Sequence, residues 1–508
     1  METRLEQRKY ELLRQVFGYD GFRPGQEEVV DNLIQGKDVL AVMPTGAGKS
    51  ICYQLPALMR QGVAVVVSPL ISLMKDQVQA LLQMGVRAAY INSSLTESQC
   101  RKAIANAAQG MYKIVYVAPE RLLTPGFLWF AQQVQISLLC VDEAHCVSQW
   151  GQDFRPSYLE IPEFLQRQPG RIPVGAFTAT ATERVRNDIR EILRMRQPME
   201  QITGFDRPNL YFEVQVVAER EKYEIVRTYL SSHPDSSGIV YCATRKKVDA
   251  LYERLKADGF AVAHYHAGLD AQERQCGQDD FLFDRVRVMV ATNAFGMGID
   301  KSNVSFVLHY NMPMDLESYY QEAGRAGRDG QPADCILLYS PGDVRMANFL
   351  IDNGAGAVSD DESLKERQRA RLRQMTFYCY SRYCLRGEIL RYFGQRLSGS
   401  CGNCSVCCPQ EQKASPIKML AKREEGKRLE EELALDTAVL KRLKEARLTL
   451  ARRQGVPAFV VFTDATLREI CVRMPRTEEE LMRVPGIGTR KCQQYGQEVL
   501  KVLLEQTQ

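Results

Sequence analysis

Short, continuously apolar runs alternate with helical stretches from about residue 38 to residue 340, and this rhythm limits the chain to very few folds. The first series reads DVLAVM (38–43), VAVVVS (63–68), KIVYVA (113–118), ISLLCVD (136–142) and PVGAFT (173–178). The second reads GIVYC (238–242), VAHYH (262–266), VRVMVA (286–291), SFVLHY (305–310) and DCILLY (334–339). Strands without polar alternation are buried on both faces, which is the signature of parallel sheets covered by helices. Two five-strand series predict two α/β lobes, and the turn-rich TGFDRPN (203–209) marks the hinge between them.

Beyond residue 345 the rhythm stops. Residues 346–410 read as a basic helical segment ending in a cysteine cluster, 411–432 as a charged linker, and 433–508 as a compact all-α unit. The expected division is thus 1–205, 206–345, 346–410, 411–432 and 433–508. The net charge of +4 permits a nucleic-acid partner without demanding one. No run approaches the ~20 apolar residues that cross a bilayer, and the charged N-terminus has no apolar signal core, so no membrane association is expected and the chain reads as cytoplasmic.

The first strand runs into MPTGAGKS (43–50). Thr45, Gly46, Ala47 and Gly48 form a loop whose backbone amides can approach phosphates, and the following helix adds its positive dipole end. Lys49 would meet the β- and γ-phosphates and the Ser50 hydroxyl would bind Mg²⁺. Met43 stands where the full eight-residue phosphate-loop pattern has glycine. Some ninety residues on, another strand ends in DEAH: Asp142 suits Mg²⁺, and Glu143 suits orientation and deprotonation of an attacking water. ATP hydrolysis is the chemistry these residues carry. The same loop continues through Trp150, Phe154, Arg155 and Tyr158, an aromatic and basic group able to stack on unpaired bases. In QEAGRAGRDG (321–330), Arg325 and Arg328 can act as arginine fingers reaching a γ-phosphate from the second lobe.

Downstream, Cys384, Cys401, Cys404 and Cys407 offer four thiolates for a closed tetrahedral Zn²⁺ site, with Cys379 and Cys408 as competing ligands. The turn VPGIG (484–488), followed by Arg490 and Lys491, either presents amides and charge to a phosphate or simply joins two packed helices.

Taken in order, FGYDGFRPGQ (17–26), MPTGAGKS, SPLISLMKDQ (68–77), YVAPERL (116–122), DEAHCVSQWGQDFRP, FTATA (177–181), YHAGL (265–269), ATNAFGMGIDK (291–301) and QEAGRAGR resemble a superfamily 2 helicase of the RecQ family, and residues 433–508 resemble an HRDC domain. The resemblance implies an ATP-dependent DNA helicase of 3′–5′ polarity acting in repair and recombination. Single-stranded and forked DNA would be its substrates, ATP, Mg²⁺ and Zn²⁺ its cofactors, and a single-strand-binding protein a candidate partner of a nucleoid-associated monomer. Tyr19 and Arg23 would sandwich adenine while Gln26 reads its edge. Asp300 would lie near the nucleotide from the second lobe, and Gln321 would belong with the catalytic arginines. His145, Gln149 and Trp150 would relay nucleotide state to DNA, Phe154 and Arg155 would touch the strand, and Thr178 and Thr180 would link the two sites. The resemblance also favours Cys384 over Cys379 and Cys408 as the fourth zinc ligand. Members of this family usually carry a winged helix after the zinc module. Here only some two dozen residues separate Cys408 from the C-terminal unit, too few to form one.

Overall fold

The computed structural model describes residues 2–151, 154–295, 301–353, 362–408 and 437–504. Seven parallel strands form the first lobe: β1 (Val39–Val42), β2 (Val63–Val67), β3 (Ala88–Ile91), β4 (Ile114–Val117), β5 (Ile136–Val141), β6 (Val174–Thr178) and β7 (Met199–Ile202), in the order β3-β4-β2-β5-β6-β1-β7. Every residue of β1, β2, β4, β5 and β6 is buried, because helices cover both faces. Each Val, Leu or Ile so enclosed contributes about 1.5–3 kcal/mol relative to exposure.

The edge strands β3 and β7 are additions to the five expected from sequence. Met199–Ile202 pairs with Val39–Val42 although its side chains alternate between half-buried and exposed, so its apolar signal is weak.

In the second lobe, β8 (Leu210–Val216), β9 (Gly238–Tyr241), β10 (Val262–Tyr265), β11 (Val288–Ala291), β12 (Phe306–His309) and β13 (Ala333–Tyr339) follow the order β10-β11-β9-β12-β13-β8. The unexpected strand is β8, which begins immediately after the hinge and runs in register with all of β13. In both lobes the loops at the C-terminal strand ends face the cleft, where open α/β sheets place ligands.

Helices Pro341–Asn353, Glu362–Cys379 and Leu385–Tyr392 lead into the cysteine cluster. This module is fastened to the hinge and to β8 rather than standing apart. Arg386 pairs with Asp206 and donates to the carbonyls of Pro208 and Leu210, and Asn403 donates to the same two carbonyls. Ser405 N–H donates to Phe212 O at 2.9 Å, and the Phe205 and Phe393 rings stack 4.4 Å apart.

The C-terminal unit comprises helices Thr437–Gln454, Ala458–Val461, Asp464–Arg473, Glu478–Leu481 and Thr489–Leu504. It closes on its own core of Val439, Leu443, Leu467, Ile470, Tyr495 and Val499. The expected linker 411–432 lies outside the described residues. Among those residues, no helix is long and apolar enough to cross a membrane.

Candidate active site and nucleic-acid interface

The turn after β1 places Gly46 and Gly48 at φ of +82° and +81°, left-handed conformations that glycine adopts without strain. The helix Lys49–Met59 starts there. Lys49 Nζ is buried and has no hydrogen-bond partner among the described residues. An ammonium held that way is costly unless an anion joins it, so the loop, the helix end and Lys49 together suit a phosphate chain. Ser50 lines the same cavity, of about 540 Å³, as do Tyr19, Arg23, Asp142 and Glu143.

Asp142 terminates β5 and is buried, its Oδ1 accepting from Glu143 N–H at 3.0 Å. Glu143 takes φ +47°, strained for a side chain with a Cβ, and that turn puts both carboxylates at the strand's end. Burial, and then the charge of Glu143, push the Asp142 carboxyl up. Burial also acts to raise Glu143, but Lys49, His145, Arg325 and Arg328 overcome it and hold that carboxyl below its ordinary range. The cations of both lobes therefore act on one glutamate. Hydroxyl and carboxylate oxygens beside an unpaired ammonium fit a hard divalent ion such as Mg²⁺ together with a polyphosphate.

Tyr19 and Arg23 stand on the cavity wall beside the phosphate loop, and Arg23 also donates to Gly46 O. Gln26 lines the same cavity, with its amide engaged by the chain. Its Oε1 accepts from Arg23 N–H at 2.8 Å, and its Nε2 donates to Ala47 O at 2.9 Å and Gly48 O at 3.2 Å. Both halves of the amide are thus engaged with the chain itself, and reading an adenine edge requires an exchange of these bonds. Asp300 lies outside the described residues.

The two lobes meet at the phosphate loop. Thr45 Oγ1 donates to Gly324 O at 2.9 Å, just before the segment that carries Arg325 and Arg328 into the cavity. Arg207, which the sequence did not single out, holds this junction. Buried in the hinge, its guanidinium donates to Thr45 O (2.8 Å), Gly324 O (3.2 Å), Ala326 O (3.0 Å) and Gly327 O (2.9 Å). The signal for it was an arginine inside a turn that otherwise reads as a flexible connection.

A line of polar contacts runs from the DEAH carboxylate to the second lobe, hydrogen-bonded from His145 onward. His145 Nδ1 lies 3.4 Å from Glu143 Oε2 and 2.8 Å from Thr178 Oγ1. Thr178 Oγ1 donates to Thr180 O at 3.0 Å, so it accepts from the imidazole, which places the proton on Nδ1. Gln321 Nε2 then donates to Thr180 Oγ1 at 2.9 Å.

The aromatic loop departs from expectation at Tyr158. That side chain is fully buried, its hydroxyl donating to Asp142 O at 2.9 Å, so it braces the catalytic strand and presents no face to a base. Trp150 lies between two guanidinium groups, with Arg184 Cζ 3.1 Å and Arg367 Cζ 4.6 Å from the ring centroid. Arg371 of the same zinc-module helix donates to the Trp150 carbonyl. Phe154 is half-buried, Gln149 is exposed, and half-buried Arg155 donates to Pro69 O at 2.8 Å. The loop thus touches lobe 1 and the zinc module together.

The sulfur atoms of Cys384, Cys401, Cys404 and Cys407 lie within 4.8 Å of one another. Backbone N–H groups of Gly387, Asn403 and Cys407 point at three of them, at 3.3–3.4 Å, which favours the thiolate form that Zn²⁺ requires. Cys379 is buried elsewhere, and Cys408 Sγ faces Gly402 O.

Comparison with known proteins agrees with this geometry. Family models match in succession: DEAD/DEAH box helicase at residues 23–189, helicase conserved C-terminal domain at 221–330, RecQ zinc-binding at 341–408 and HRDC domain at 436–503. The chain is 38% identical to the ATP-dependent DNA helicase RecQ of Bacillus subtilis, over 96% of this chain and 97% of that protein. It is 33% identical to the ATP-dependent DNA helicase RecQ of Pasteurella multocida, over 99% and 94%. The alignment with the B. subtilis protein spans 580 positions, more than the 508 residues present here, so that relative carries segments without a counterpart in this chain. Among solved structures, S. cerevisiae Dbp5 bound to RNA and ADP BeF3 superposes with a TM-score of 0.51 at 20% identity, over 69% of this chain and 98% of that one. Helicase Lhr of Mycobacterium smegmatis, bound to ssDNA and AMP-PNP, superposes with a TM-score of 0.55 at 17% identity, over 74% and 57%. These last two likenesses establish a shared fold.

Proposed function

The chain belongs to the RecQ family of helicases, and on that premise we propose how its residues turn ATP hydrolysis into strand movement. It is an ATP-dependent DNA helicase that uses ATP, Mg²⁺ and Zn²⁺. The observation that carries the mechanism is the line Glu143–His145–Thr178–Thr180–Gln321, which joins the hydrolytic carboxylate to the second lobe.

Nucleotide enters the cleft with its phosphates on the loop 45–48 and Lys49, and its base beside Tyr19, Arg23 and Gln26. Ser50 and Asp142 would hold Mg²⁺, which would supply neutralisation of phosphate charge. Glu143 orients and deprotonates the attacking water; its lowered carboxyl range keeps it ionised for that role. Arg325 and Arg328 approach from the second lobe, with Gln321 between them and Thr180, so hydrolysis depends on lobe closure. Asp300 is assigned to the nucleotide as well.

Single-stranded DNA, followed 3′ to 5′, would lie along Gln149, Trp150, Phe154 and Arg155. Trp150 leaves its two arginines to stack on a base, and His145 with Thr178 and Thr180 transmits that change to the nucleotide. Residues 1–205 and 206–345 would act as the two motor lobes, 346–410 as the zinc-bound brace of the hinge and 433–508 as the HRDC unit. Only residues 409–435 lie between the matched zinc module and HRDC segments. A chain this short at that point leaves the aromatic loop to take a larger part in opening a fork. We further propose that it works as a cytoplasmic, nucleoid-associated monomer and meets single-strand-binding protein on its substrate.

Unwinding of forked duplexes of increasing length tests the reading, with Lys49→Ala as control. The wild-type chain should open forks only with ATP and Lys49→Ala should not. Strand annealing without unwinding would contradict it.

A further inference from the structure

Lys491 opens the last helix of the HRDC unit, yet its side chain lines the cavity that holds Tyr19, Lys49 and Arg328. It reaches there because the whole unit is docked over the mouth of the cleft. Gly486 N–H donates to Gly18 O at 2.7 Å. The backbones run so close that a Cβ on Gly18 would stand 2.6 Å from Ile487 N, and one on Gly488 would stand 2.8 Å from Gln15 O. Those contacts belong to the first lobe. Towards the second, Asp464 acts on Lys301, and Arg468 with Asp464 acts on Asp329, which also lines the cavity. The unit therefore spans both lobes at the place where they close on nucleotide.

Within this junction Lys491 has no acidic partner among the described residues. Burial alone lowers its ammonium to about 8, and its neighbour is the Phe462 ring, 6.0 Å from Nζ. A half-buried cation that lines the same cavity as the phosphate-binding loop is completed by an anion. We propose that Lys491 is a nucleotide-binding residue supplied by the HRDC unit, pairing with the phosphate chain of the nucleotide seated at Lys49. The docked unit then forms one wall of the site and slows nucleotide release. This rests on reading the cavity as the nucleotide site.

The test is binding of a fluorescent ATP analogue with Mg²⁺ to the full chain, measured as equilibrium Kd and as dissociation rate. Lys491→Met should weaken binding about tenfold, mainly through faster release, the size expected for one lost charge-assisted hydrogen bond. Lys491→Arg should retain most of the affinity, which a packing role for the lysine would not allow. Gly488→Val, which forces the unit off the first lobe while the chain still carries Lys491, should match Lys491→Met, and the double variant should lose no more. Unchanged Kd and release in Lys491→Met would overturn the proposal, as would a loss in Gly488→Val alone. Lys49→Ala separates the two levels. If it binds the analogue as well as wild type, the cavity is not the nucleotide site. If it fails to bind while Lys491→Met binds normally, only the role of Lys491 falls.

Discussion

Gln321 of the second lobe donates its Nε2 hydrogen to the Thr180 hydroxyl of the first, across 2.9 Å. Thr180 is bonded in turn to Thr178, and Thr178 to His145 beside the hydrolytic glutamate. On the proposed mechanism this line, which passes through the Thr180 main chain, reports lobe closure to the reacting centre. Losing any member should cost coupling more than it costs binding.

Arg328→Ala should lower ATPase kcat by roughly 10³-fold, the scale of an arginine finger, with nucleotide Kd changed only slightly. Arg325→Ala should behave similarly. Steady-state kinetics alongside equilibrium binding checks both; an equal loss in Kd would assign the arginines to ground-state binding instead.

Arg207→Ala should destabilise the lobe junction by about 2–4 kcal/mol, because four backbone carbonyls lose a charged donor. Arg207→Lys should recover part of that, since a point charge cannot reproduce the planar fork. Thermal unfolding measures it, and a junction unmoved by Arg207→Ala would show that the hinge holds without it.

Glu317 gives a pH-dependent prediction. The side chain is buried against the zinc module, where its carboxyl accepts from Tyr392 Oη at 3.1 Å. Burial, and next the Asp315 carboxylate, push it up to about 7. Its folded value lies above the unfolded one, near 4.3. The stability it contributes is therefore complete below about pH 4 and is lost as pH rises through about 7, by up to roughly 3 kcal/mol. Glu317→Gln removes that loss. Its melting temperature should come closest to wild type near pH 4 and exceed it near pH 8, whereas a constant offset at all pH values would contradict the assignment.

Removing Zn²⁺ with a chelator should loosen residues 384–408 and, through Ser405, Asn403 and Arg386, the edge strand β8 and the hinge. Cys401→Ser should do the same. Hydrogen exchange of the amides of β8 is the readout: raised exchange there is expected, and exchange confined to the cysteine segment would show the module to be independent of the motor.

What the sequence made legible was set by how strongly burial writes itself into composition. The central strands carry unbroken apolar runs because both faces are covered, so Val63–Val67 and Ile136–Val141 could be read directly. Met199–Ile202 at a sheet edge alternates and is partly polar, and Leu210–Val216 follows a turn that reads as pure hinge. Neither stands out by composition.

The phosphate loop, the DEAH pair and the cysteine cluster were visible because their chemistry depends on close spacing along the chain. Tyr158 shows the limit of that logic. Its neighbours suggest a stacking surface, but the short helical turn Pro156–Glu160 rotates it into the core beneath Asp142. Arg207 was illegible for a related reason: its carbonyl partners lie far away in sequence, and only the docking of lobe on lobe brings them together. For Lys491 the sequence offers a phosphate role, but only the docking of unit on cleft shows which cavity it lines.

The central claim, that the aromatic loop and the interlobe line couple DNA to hydrolysis, is tested most directly by ATPase rates of Trp150→Ala and Gln321→Ala with and without single-stranded DNA. Both variants should bind nucleotide and lose most of the stimulation by DNA, and Trp150→Ala should keep basal turnover. Stimulation equal to wild type in either variant would contradict it.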